Sequence, residues 1–257
     1  MLRVENLEFY YGEKKVIDKI NFNLEKGEIL GILGPNGSGK TTIIKLVGGI
    51  LKKNGGKIKI FEKEIEKYSR KELAKKISIV PSELEPGFDF TVYDIVSMGR
   101  YPYLGLFDTL NEKDLHIIDE AMNIMGIKHL ANKSVREISG GEKQRMLIAR
   151  ALAQDTEILL MDEPTSNLDI KYQVEILELI EGIRKRNRGI IITLHDVNMA
   201  IRYCTKVALL SNGKIYMMGN PDEVINENSI LNVYGVNGKI MRNGNGKIVY
   251  IIPEKIQ

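Results

Sequence analysis

Cysteine is almost absent from this 257-residue chain, since Cys204 is the only one. A single thiol cannot form a disulfide within the chain, which favours a reducing compartment, and we interpret Cys204 as a small apolar core residue. Long apolar runs are missing too: none reaches the roughly 18–20 residues of a membrane-spanning helix, and the first residues form no apolar signal core. We therefore expect a cytoplasmic protein that reaches a membrane only through a partner.

The sequence also lacks a strong charge imbalance, because 37 basic and 34 acidic residues leave a net charge of +3. Composition gives no basic face, so we expect no nucleic-acid partner. The hydrophobic fraction of 43% and the charged fraction of 28% are typical of a globular protein with a sizeable core. The length predicts one domain with a large insertion.

Apolar periodicity predicts the class of fold. Alternation of apolar and polar residues over 2–11 and 16–24 predicts half-buried antiparallel strands. Short continuous apolar runs predict the buried strands of a parallel sheet, and they lie at 28–33, 77–80, 158–161 and 190–194. Helical spacing over 172–183 would supply a crossover between the last two of these strands.

Other segments complete this α/β prediction. Helical spacing dominates from about 88 to 156, where Thr109-Leu110-Asn111-Glu112 predicts a capping box at the start of a helix. Residues 207–217 and 239–252 each contain turn residues between apolar runs, which predicts two hairpins. The expected picture is a mostly parallel α/β core, an antiparallel N-terminal portion and a helical insertion.

A glycine-rich segment, Gly34-Pro35-Asn36-Gly37-Ser38-Gly39-Lys40-Thr41, fits the pattern G-x-x-x-x-G-K-[ST] between a predicted strand and a helix. Glycines let successive backbone N–H groups point at phosphate oxygens, and the following helix adds its positive N-terminal end. We expect Lys40 to reach the β- and γ-phosphates of ATP and the Thr41 hydroxyl to bind Mg²⁺. The residues predicted here to contact nucleotide are Gly34, Asn36, Gly37, Ser38, Gly39, Lys40, Thr41 and Thr42.

Two adjacent carboxylates, Asp162 and Glu163, follow the apolar run 158–161. Taken alone, such a pair could simply cap a strand end. Beside a phosphate loop, we expect Asp162 to take part in holding Mg²⁺ and Glu163 to polarise the water that attacks ATP. The chain direction changes where a strand ends, so both side chains could address one site.

A further motif, Ile138-Ser139-Gly140-Gly141-Glu142-Lys143-Gln144-Arg145, resembles the L-S-G-G-[QE] signature of ABC-transporter ATPases. The resemblance covers essentially the whole chain, with its motifs in the family's order. It implies a P-loop NTPase core with a mostly parallel sheet, an antiparallel β portion and an inserted helical subdomain. It further implies one ABC ATPase domain over 1–257, with a nucleotide-binding core at 1–82 and 157–257 and a helical subdomain with the signature at 83–156.

The resemblance also implies roles for individual residues. Ser139, Gly140 and Gly141 would contact the γ-phosphate of an ATP held by another copy, which makes the protein a homodimer when ATP binds. An ordinary Ser-Gly-Gly helix start is the alternative. Three other positions match the family's nucleotide contacts: Asp169 in the D-loop, His195 as the switch histidine and Tyr11 as the aromatic that stacks on adenine. His195 could instead be a core histidine, and Tyr11 a strand-edge aromatic.

One position departs from the family pattern. After Val80-Pro81 the family usually has Gln, whose amide contacts Mg²⁺ and the attacking water, and this chain has Ser82. A hydroxyl can act through a bridging water, so we predict that the metal site includes Ser82 and is looser. Coupling between the helical subdomain and hydrolysis is expected to differ as well.

Three segments, 98–105, 219–224 and 233–236, are similar to ATPases of importers for iron-siderophore, haem and cobalamin. This implies membrane permease subunits contacted through the helical subdomain, an external substrate-binding protein, and a peripheral location at the cytoplasmic face of the cell membrane. An exposed apolar cluster would form the socket for the permease, and it comprises Tyr101, Tyr103, Leu104, Leu106 and Phe107. A loop packed on itself is the alternative.

The resemblance thus implies an ATP-hydrolysing subunit that energises import, with Glu163, His195 and Lys40 as catalytic residues. A soluble ABC ATPase acting on ribosomes or DNA is the main alternative, although such proteins usually carry two cassettes or long coiled-coil insertions. A small-molecule kinase would need no Ser-Gly-Gly motif. The presence of Glu163 and His195 argues against a non-hydrolysing binding module. Ser82 in place of the usual Gln leaves that alternative open.

Overall fold

The computed structural model describes residues 1–82 and 88–254 of the chain. Its strands are β1 (Leu2–Tyr11), β2 (Lys14–Leu24), β3 (Ile29–Leu33), β4 (Gly55–Ile60), β5 (Lys63–Glu64), β6 (Ile77–Val80), β7 (Ile158–Met161), β8 (Gly189–Thr193), β9 (Lys206–Ser211), β10 (Lys214–Gly219), β11 (Gly238–Arg242) and β12 (Ile248–Pro253). Its α-helices are α1 (Lys40–Val47), α2 (Arg70–Ala74), α3 (Val92–Ser97), α4 (Glu112–Ile124), α5 (Gly140–Ala153), α6 (Ile170–Arg184), α7 (Val197–Tyr203), α8 (Pro221–Val224) and α9 (Glu227–Tyr234).

The chain forms two compact units. The first combines Met1–Ile65 with Gly189–Gln257, and the second consists of Glu66–Arg188. This division keeps β6 and β7 with the helices of the middle of the chain. The boundaries predicted from the sequence, at 82/83 and 156/157, stay a prediction, and residue 83 lies outside the described residues.

In the first unit, an antiparallel sheet has the strand order β2-β1-β4-β5. Leu2 and Val4 are buried in β1, and after an irregularity in the strand pairing the buried face continues with Leu7 and Phe9, while the residues between face solvent or are half-buried. Burial of one face by side chains of period two is what holds such a sheet in register. The two N-terminal antiparallel strands predicted from the sequence are confirmed.

A second sheet of the first unit places β3 between β8 and β9, and both neighbours are parallel to it. Every residue of β3 and of β8 is buried, which suits the continuous apolar runs read from the sequence. Ile32 pairs with Thr193 on one side and with Ala208 on the other. The carboxyl ends of these parallel strands therefore meet at one edge, from which α1 begins.

Both predicted hairpins are confirmed. β9 and β10 are joined at Asn212 and Gly213, which have φ angles of 49° and 73°. Positive φ at both central residues is what a type I′ turn requires. β11 and β12 form the second hairpin.

In the second unit, β6 and β7 are parallel, with Val80 paired to Met161. The predicted helical segment forms α3, α4 and α5, joined by short 3₁₀ turns. The capping box predicted at Thr109 is wrong: Asn111 caps α4 and pairs with Asp114. Asp114 also accepts a hydrogen bond from Arg100, at 2.9 Å, which helps to fix its carboxylate.

Within the described ranges, no helix is both long enough and apolar enough to cross a bilayer. Cys204 is buried, its sulfur lies 2.6 Å from where a Cβ on Gly31 would stand, and burial raises the pKa of its thiol to about 12. The interpretation of Cys204 as a core residue is confirmed, because a neutral buried thiol packs as a small apolar group.

Candidate functional site

The glycine-rich loop leaves β3 and leads directly into α1, which begins at Lys40. The N-cap is Gly39, with φ 110°, and no side chain caps the helix. The first turn contains no acidic residue either. No side chain of the described residues therefore caps this helix start, and the helix dipole favours an anion there.

Polar groups of the loop are gathered close to one another. The Lys40 side chain is buried, and its ammonium donates to the carbonyl oxygens of Gly34, at 2.9 Å, and Pro35, at 3.3 Å. Ser38 is 5% exposed, and its hydroxyl has no hydrogen-bond partner among the described residues. A buried hydroxyl without a partner is costly, and the oxygens of a phosphate would satisfy it.

At two positions of the loop, neighbouring atoms lie too close to leave room for a side chain, so glycine is required. A Cβ on Gly34 would lie 2.2 Å from the carbonyl oxygen of Leu210, and one on Gly39 would lie 2.8 Å from the Cδ1 of Ile17. Both residues also have positive φ, which favours glycine. Gly37 also has a positive φ, of 77°, but a Cβ there would meet no atom within 4 Å.

The other residues predicted to contact nucleotide lie in the same loop and in the first turn of α1. Asn36 is exposed, Thr41 is half-buried and Thr42 is buried. His195 follows β8 at the same sheet edge, since the amide of Leu194 donates to the carbonyl of Ile32. His195 is exposed, which excludes a core histidine.

Tyr11 ends β1 with its side chain 49% exposed. Its ring makes an edge contact with Phe9, at a centroid distance of 4.8 Å. The exposed face remains available for stacking on a base, and the strand-edge alternative also fits this position. Its adenine role stays a prediction.

The second unit carries the two adjacent carboxylates. Asp162 is buried directly after β7, and its amide donates to the carbonyl of Val80 at 3.0 Å. Glu163 adopts φ 48°, a left-handed conformation that costs a non-glycine residue roughly 1 kcal/mol. Ser166 fixes this turn, because both its amide and its hydroxyl donate to the Glu163 carbonyl, at 3.0 and 2.8 Å.

Ser82, the residue that replaces the usual Gln, lies just beyond β6 and is exposed. Since β6 and β7 are parallel neighbours, Ser82 and Asp162 leave the same edge of this strand pair. This supports the idea that the short hydroxyl addresses the carboxylate site. Its part in metal binding stays a prediction.

The signature segment starts α5 with a full capping box. The Ser139 hydroxyl accepts from the Glu142 amide at 3.3 Å, and the Glu142 carboxylate accepts from the Ser139 amide at 2.7 Å. These bonds from the Ser139 backbone and side chain hold the pKa of Glu142 below its usual value. Ser139 and Gly140 are exposed, as a contact with another copy would require.

Gly141 is buried one residue further along the same helix. A Cβ there would lie 3.0 Å from the ring of Tyr172, so α6 packs closely against the signature. Asp169 is exposed and caps α6, accepting from the Tyr172 amide at 3.1 Å. The predicted nucleotide contacts of Gly141 and Asp169 therefore stay predictions beside these structural roles.

The predicted site residues fall into two groups. The first unit brings the loop 34–42 and His195 to one sheet edge and also contains Tyr11, whereas the second contains Asp162, Glu163, Ser82 and the signature. Sequence reasoning missed Ser166, Glu142 and Tyr172. The S-x-x-E spacing from Ser139 could have revealed Glu142. Nothing local in the sequence points to the others.

The candidate metal ligands fit Mg²⁺ by their chemistry. Thr41 offers a hydroxyl and Asp162 a carboxylate, and both are hard oxygen donors. Within the described residues, no group of three or more acidic, His or Cys side chains is arranged to hold a metal. Mg²⁺ bound with a nucleotide needs no such cage, because phosphate oxygens and waters complete its shell.

Comparison with known proteins adds to this geometry. The sequence profile described as ABC transporter matches residues 17–166. The iron(3+)-hydroxamate import ATP-binding protein FhuC of Bacillus subtilis is 36% identical over 241 residues, 93% of this chain and 90% of the relative. The hemin import ATP-binding protein HmuV of Pseudomonas aeruginosa is 36% identical over 247 residues, 94% and 95% of the two chains.

A further relative is longer than this chain. The uncharacterized ABC transporter ATP-binding protein YvrA of Bacillus subtilis is 39% identical across 99% of this chain, which spans 58% of that protein's length. Among solved structures, an inward-facing ABC transporter assigned to the metal-chelate type gives a TM-score of 0.86 at 30% identity, over 99% of this chain and 97% of the other. A dimeric bacterial ABC transporter cassette gives 0.74 at 27% identity, over 86% and 99%.

Proposed function

The chain belongs to the ABC transporter family and is an ATPase of that class, and we propose from this that it energises the import of an iron-siderophore, haem or cobalamin-type cargo. The predicted fold class, a P-loop core with parallel and antiparallel strands and a helical portion, is confirmed by similarity to known cassettes. The observation that carries the function is the uncapped start of α1 beside buried Lys40 and Ser38.

Different residues would supply the separate parts of ATP hydrolysis. Lys40 would leave the carbonyls of Gly34 and Pro35 and neutralise the β- and γ-phosphates. The Glu163 carboxylate would orient the attacking water and accept its proton. His195 would contact the γ-phosphate, and Tyr11 would stack on adenine.

Mg²⁺ would be held by Thr41 and Asp162, with Ser82 acting through a water. When bound, the ion supplies positive charge that offsets the charge of the transferring phosphoryl group. The protein's own contribution is to fix these oxygen donors. The buried position of Asp162 and its backbone bond to Val80 support a fixed carboxylate.

Two copies of the chain would close on two nucleotides. The exposed start of α5 would present Ser139, Gly140 and Gly141 to the γ-phosphate held by the other copy, with Asp169 near the same seam. A dimeric cassette among the similar structures supports this arrangement. Closure would convert the free energy of ATP binding into a change of conformation in the attached membrane subunits.

The permease would dock on an apolar surface of the second unit. Tyr101, Leu106 and Phe107 are 60%, 91% and 91% exposed. The predicted socket is wrong in two members, because Tyr103 and Leu104 are half-buried. Tyr103 stacks on the Arg100 guanidinium at 3.9 Å, and its hydroxyl donates to the carbonyl of Gln154.

A polar cavity of about 550 Å³ adjoins the exposed Phe107. Its floor is the buried ion pair between Arg100 and Asp114, and Lys113 and Asn111 also line it. An apolar rim beside a cavity with fixed polar groups supports a permease helix that inserts one polar or acidic side chain there.

The cargo class follows the relatives' names and the metal-chelate type of the similar transporter. An importer of this kind implies an external substrate-binding protein. It also implies that the chain lies at the cytoplasmic face of the cell membrane, held there by the permease. The cargo would never touch this chain.

The test is co-purification from the native cell. The tagged full chain is extracted with mild detergent, its membrane partner is identified, and ATP hydrolysis is measured with and without metal chelates. The double variant Leu106→Ser, Phe107→Ser should lose the membrane partner and keep Mg-ATP hydrolysis. Val249→Ser, at an exposed apolar residue of the C-terminal hairpin, should lose neither.

Recovery of ribosomes and no membrane protein would replace the importer with a soluble ABC ATPase. Unchanged recovery of the permease by the double variant would show that docking uses another surface. Chelates that fail to stimulate hydrolysis in the complete assembly would remove the cargo assignment.

A further inference from the structure

Gln154 is a half-buried residue whose side chain has no part in hydrolysis as described above. It is the C-cap of α5, the helix that begins at the signature. Its side-chain amide donates to the carbonyl oxygens of Ala74, the last residue of α2, and of Ile77 in β6, the latter at 2.8 Å. Its own carbonyl accepts from the Tyr103 hydroxyl at 3.0 Å. Gln154 therefore bonds to three other segments of the second unit.

The first of the features that give these bonds a purpose is the edge of β6. Among the described residues, β7 is the one strand that pairs with β6. The carbonyls of Lys76 and Val80 accept from amides of β7 and of the residue after it. Carbonyl directions alternate along a strand, so those of Ile77 and Ile79 point to the opposite edge. An edge of this kind needs donors from elsewhere in the fold.

The donors for this edge come from α5. Gln154 donates to the Ile77 carbonyl at 2.8 Å, and the Arg150 guanidinium donates to the Ile79 carbonyl at the longer distance of 3.5 Å. Arg150 and Gln154 are four residues apart, which places them on one face of the helix. The end of α5 is therefore held to β6, the strand that leads to Ser82.

The other bond of Gln154 leads towards the surface proposed for the permease. Tyr103 ends the 3₁₀ turn Met98–Tyr103, and Tyr101 of the same turn is 60% exposed. Arg100, also in this turn, donates to the carbonyl of Ala153 at 2.8 Å. The last carbonyls of a helix have no partner within the helix, so this turn supplies them. A shift of the turn would therefore move the end of α5.

We propose that Gln154 is a positioning residue that couples the turn Met98–Tyr103 to β6, so that docking of the permease at this turn changes the position of Ser82. The route runs from the Tyr103 hydroxyl to the backbone of Gln154, and from its side chain to Ile77 and along β6. Hydrogen bonds joined to rigid elements can carry such coupling. The inference rests on the proposed function, which places the permease at this surface and Ser82 at the metal site.

The coupling can be measured in the full chain without nucleotide. In ¹⁵N-labelled protein, Tyr103→Phe removes the hydroxyl bond to Gln154 and should shift the amide signal of Ser82. Gln154→Leu keeps the backbone carbonyl and removes the side-chain donors, so in that background Tyr103→Phe should leave the Ser82 signal almost unmoved. Gln173→Leu is the matched control, because Gln173 also donates to a backbone carbonyl of this unit, that of Leu168. It should leave the response to Tyr103→Phe intact.

A second readout uses the assembly purified with its membrane partner. Metal chelates should stimulate ATP hydrolysis about threefold to tenfold less in Gln154→Leu than in the wild type, within the range for changes along a coupled network. The KM for ATP should stay the same, because the bonds that are removed lie in the second unit and the phosphate loop lies in the first.

The outcomes separate this inference from the proposed function. A wild-type assembly that does not respond to chelates would defeat the cargo assignment, and the Ser82 signal would still test Gln154. A Ser82 signal that ignores Tyr103→Phe in the wild type, or that responds equally in Gln154→Leu, would overturn the inference. A lowered melting temperature of Gln154→Leu with unchanged stimulation would do the same, because Gln154 would then be purely structural.

Discussion

Two helix starts are predicted to contact phosphate in this chain, and they are built in opposite ways. α1 begins after Gly39 with no capping side chain and no acidic residue in its first turn. α5 begins after Ser139 with a complete capping box, in which Glu142 satisfies the amide of Ser139. One start is open to an anion, and the other is already satisfied by its own carboxylate.

The two predicted sites therefore need not bind phosphate equally well. An open start binds an anion without displacing a capping side chain. A capped start is stable alone and must accommodate a phosphate beside a carboxylate, which repels it. We therefore expect α1 to give each chain its own nucleotide affinity, and α5 to engage only when a second copy brings further contacts.

The largest expected effect tests whether α5 ever engages nucleotide. Glu163→Gln removes the proton acceptor and should lower kcat for ATP hydrolysis by about 10³-fold, within the range for a general base. Because binding is kept, Mg-ATP should accumulate a closed dimer, seen by light scattering. Glu178→Gln, at an exposed residue of α6, is the control. A Glu163→Gln chain that stays monomeric in saturating Mg-ATP would contradict the paired site.

A smaller loss of activity is expected from a change at the open start of α1. Lys40→Ala removes the buried ammonium and should lower kcat/KM by about 10²-fold, comparable to the loss of one donor to a developing charge. The variant should also bind ATP more weakly, as measured by calorimetry. Lys45→Ala changes an exposed residue of the same helix and should have little effect. Equal losses in the two variants would mean that net charge, and not the loop, sets affinity.

The same contrast explains how much could be predicted from sequence. Apolar periodicity and turn residues predicted the strands, hairpins and helical segment, because those patterns are local. The predicted cap of α4 was wrong, since Thr109 and Asn111 are both good capping residues. The choice between them depends on Asp114, which also binds Arg100.

For the site, the open helix start could be read from the sequence because the glycine-rich pattern is contiguous. Contacts between distant positions could not be read. Tyr172 packs on Gly141 only because the fold brings α6 to the start of α5. Tyr103 was expected at the surface, and its stacking on Arg100 is equally invisible in the sequence.

A smaller effect on stability and on the dimer is expected from a change at the start of α5. Ser139→Ala removes the cap and should lower the free energy of unfolding by about 1 kcal/mol, and it should also weaken the ATP-driven dimer. Ser69→Ala is a matched control, because Ser69 caps α2 with Glu72 in the same way. It should cost similar stability and leave the dimer unchanged. If both variants weakened the dimer alike, the effect would come from stability alone.

Glu142→Gln isolates the charge, because Gln can keep the capping box. Without the carboxylate, the ATP-driven dimer should form a few-fold more tightly. The pKa of Glu142 is lowered below 4.5 in the folded chain, so its contribution to stability is present above pH 4.5 and lost as the pH falls through the lowered value. In Glu142→Gln, the free energy of unfolding should therefore depend less on pH over that acidic range. An unchanged pH dependence would show that the carboxylate contributes little.

The smallest expected effect concerns Ser82, where the second unit departs from the family. Ser82→Gln restores the longer amide next to the strand end that carries Asp162. Direct contact in place of a water should lower the Mg²⁺ concentration for half-maximal hydrolysis by about threefold, consistent with one modest hydrogen bond. Because Ser82 is exposed, stability should hardly change, so Ser82→Ala serves as the control with a slightly higher Mg²⁺ requirement. Identical Mg²⁺ titrations for all three chains would mean that this position takes no part in the metal site, and that Asp162 and Thr41 suffice for it.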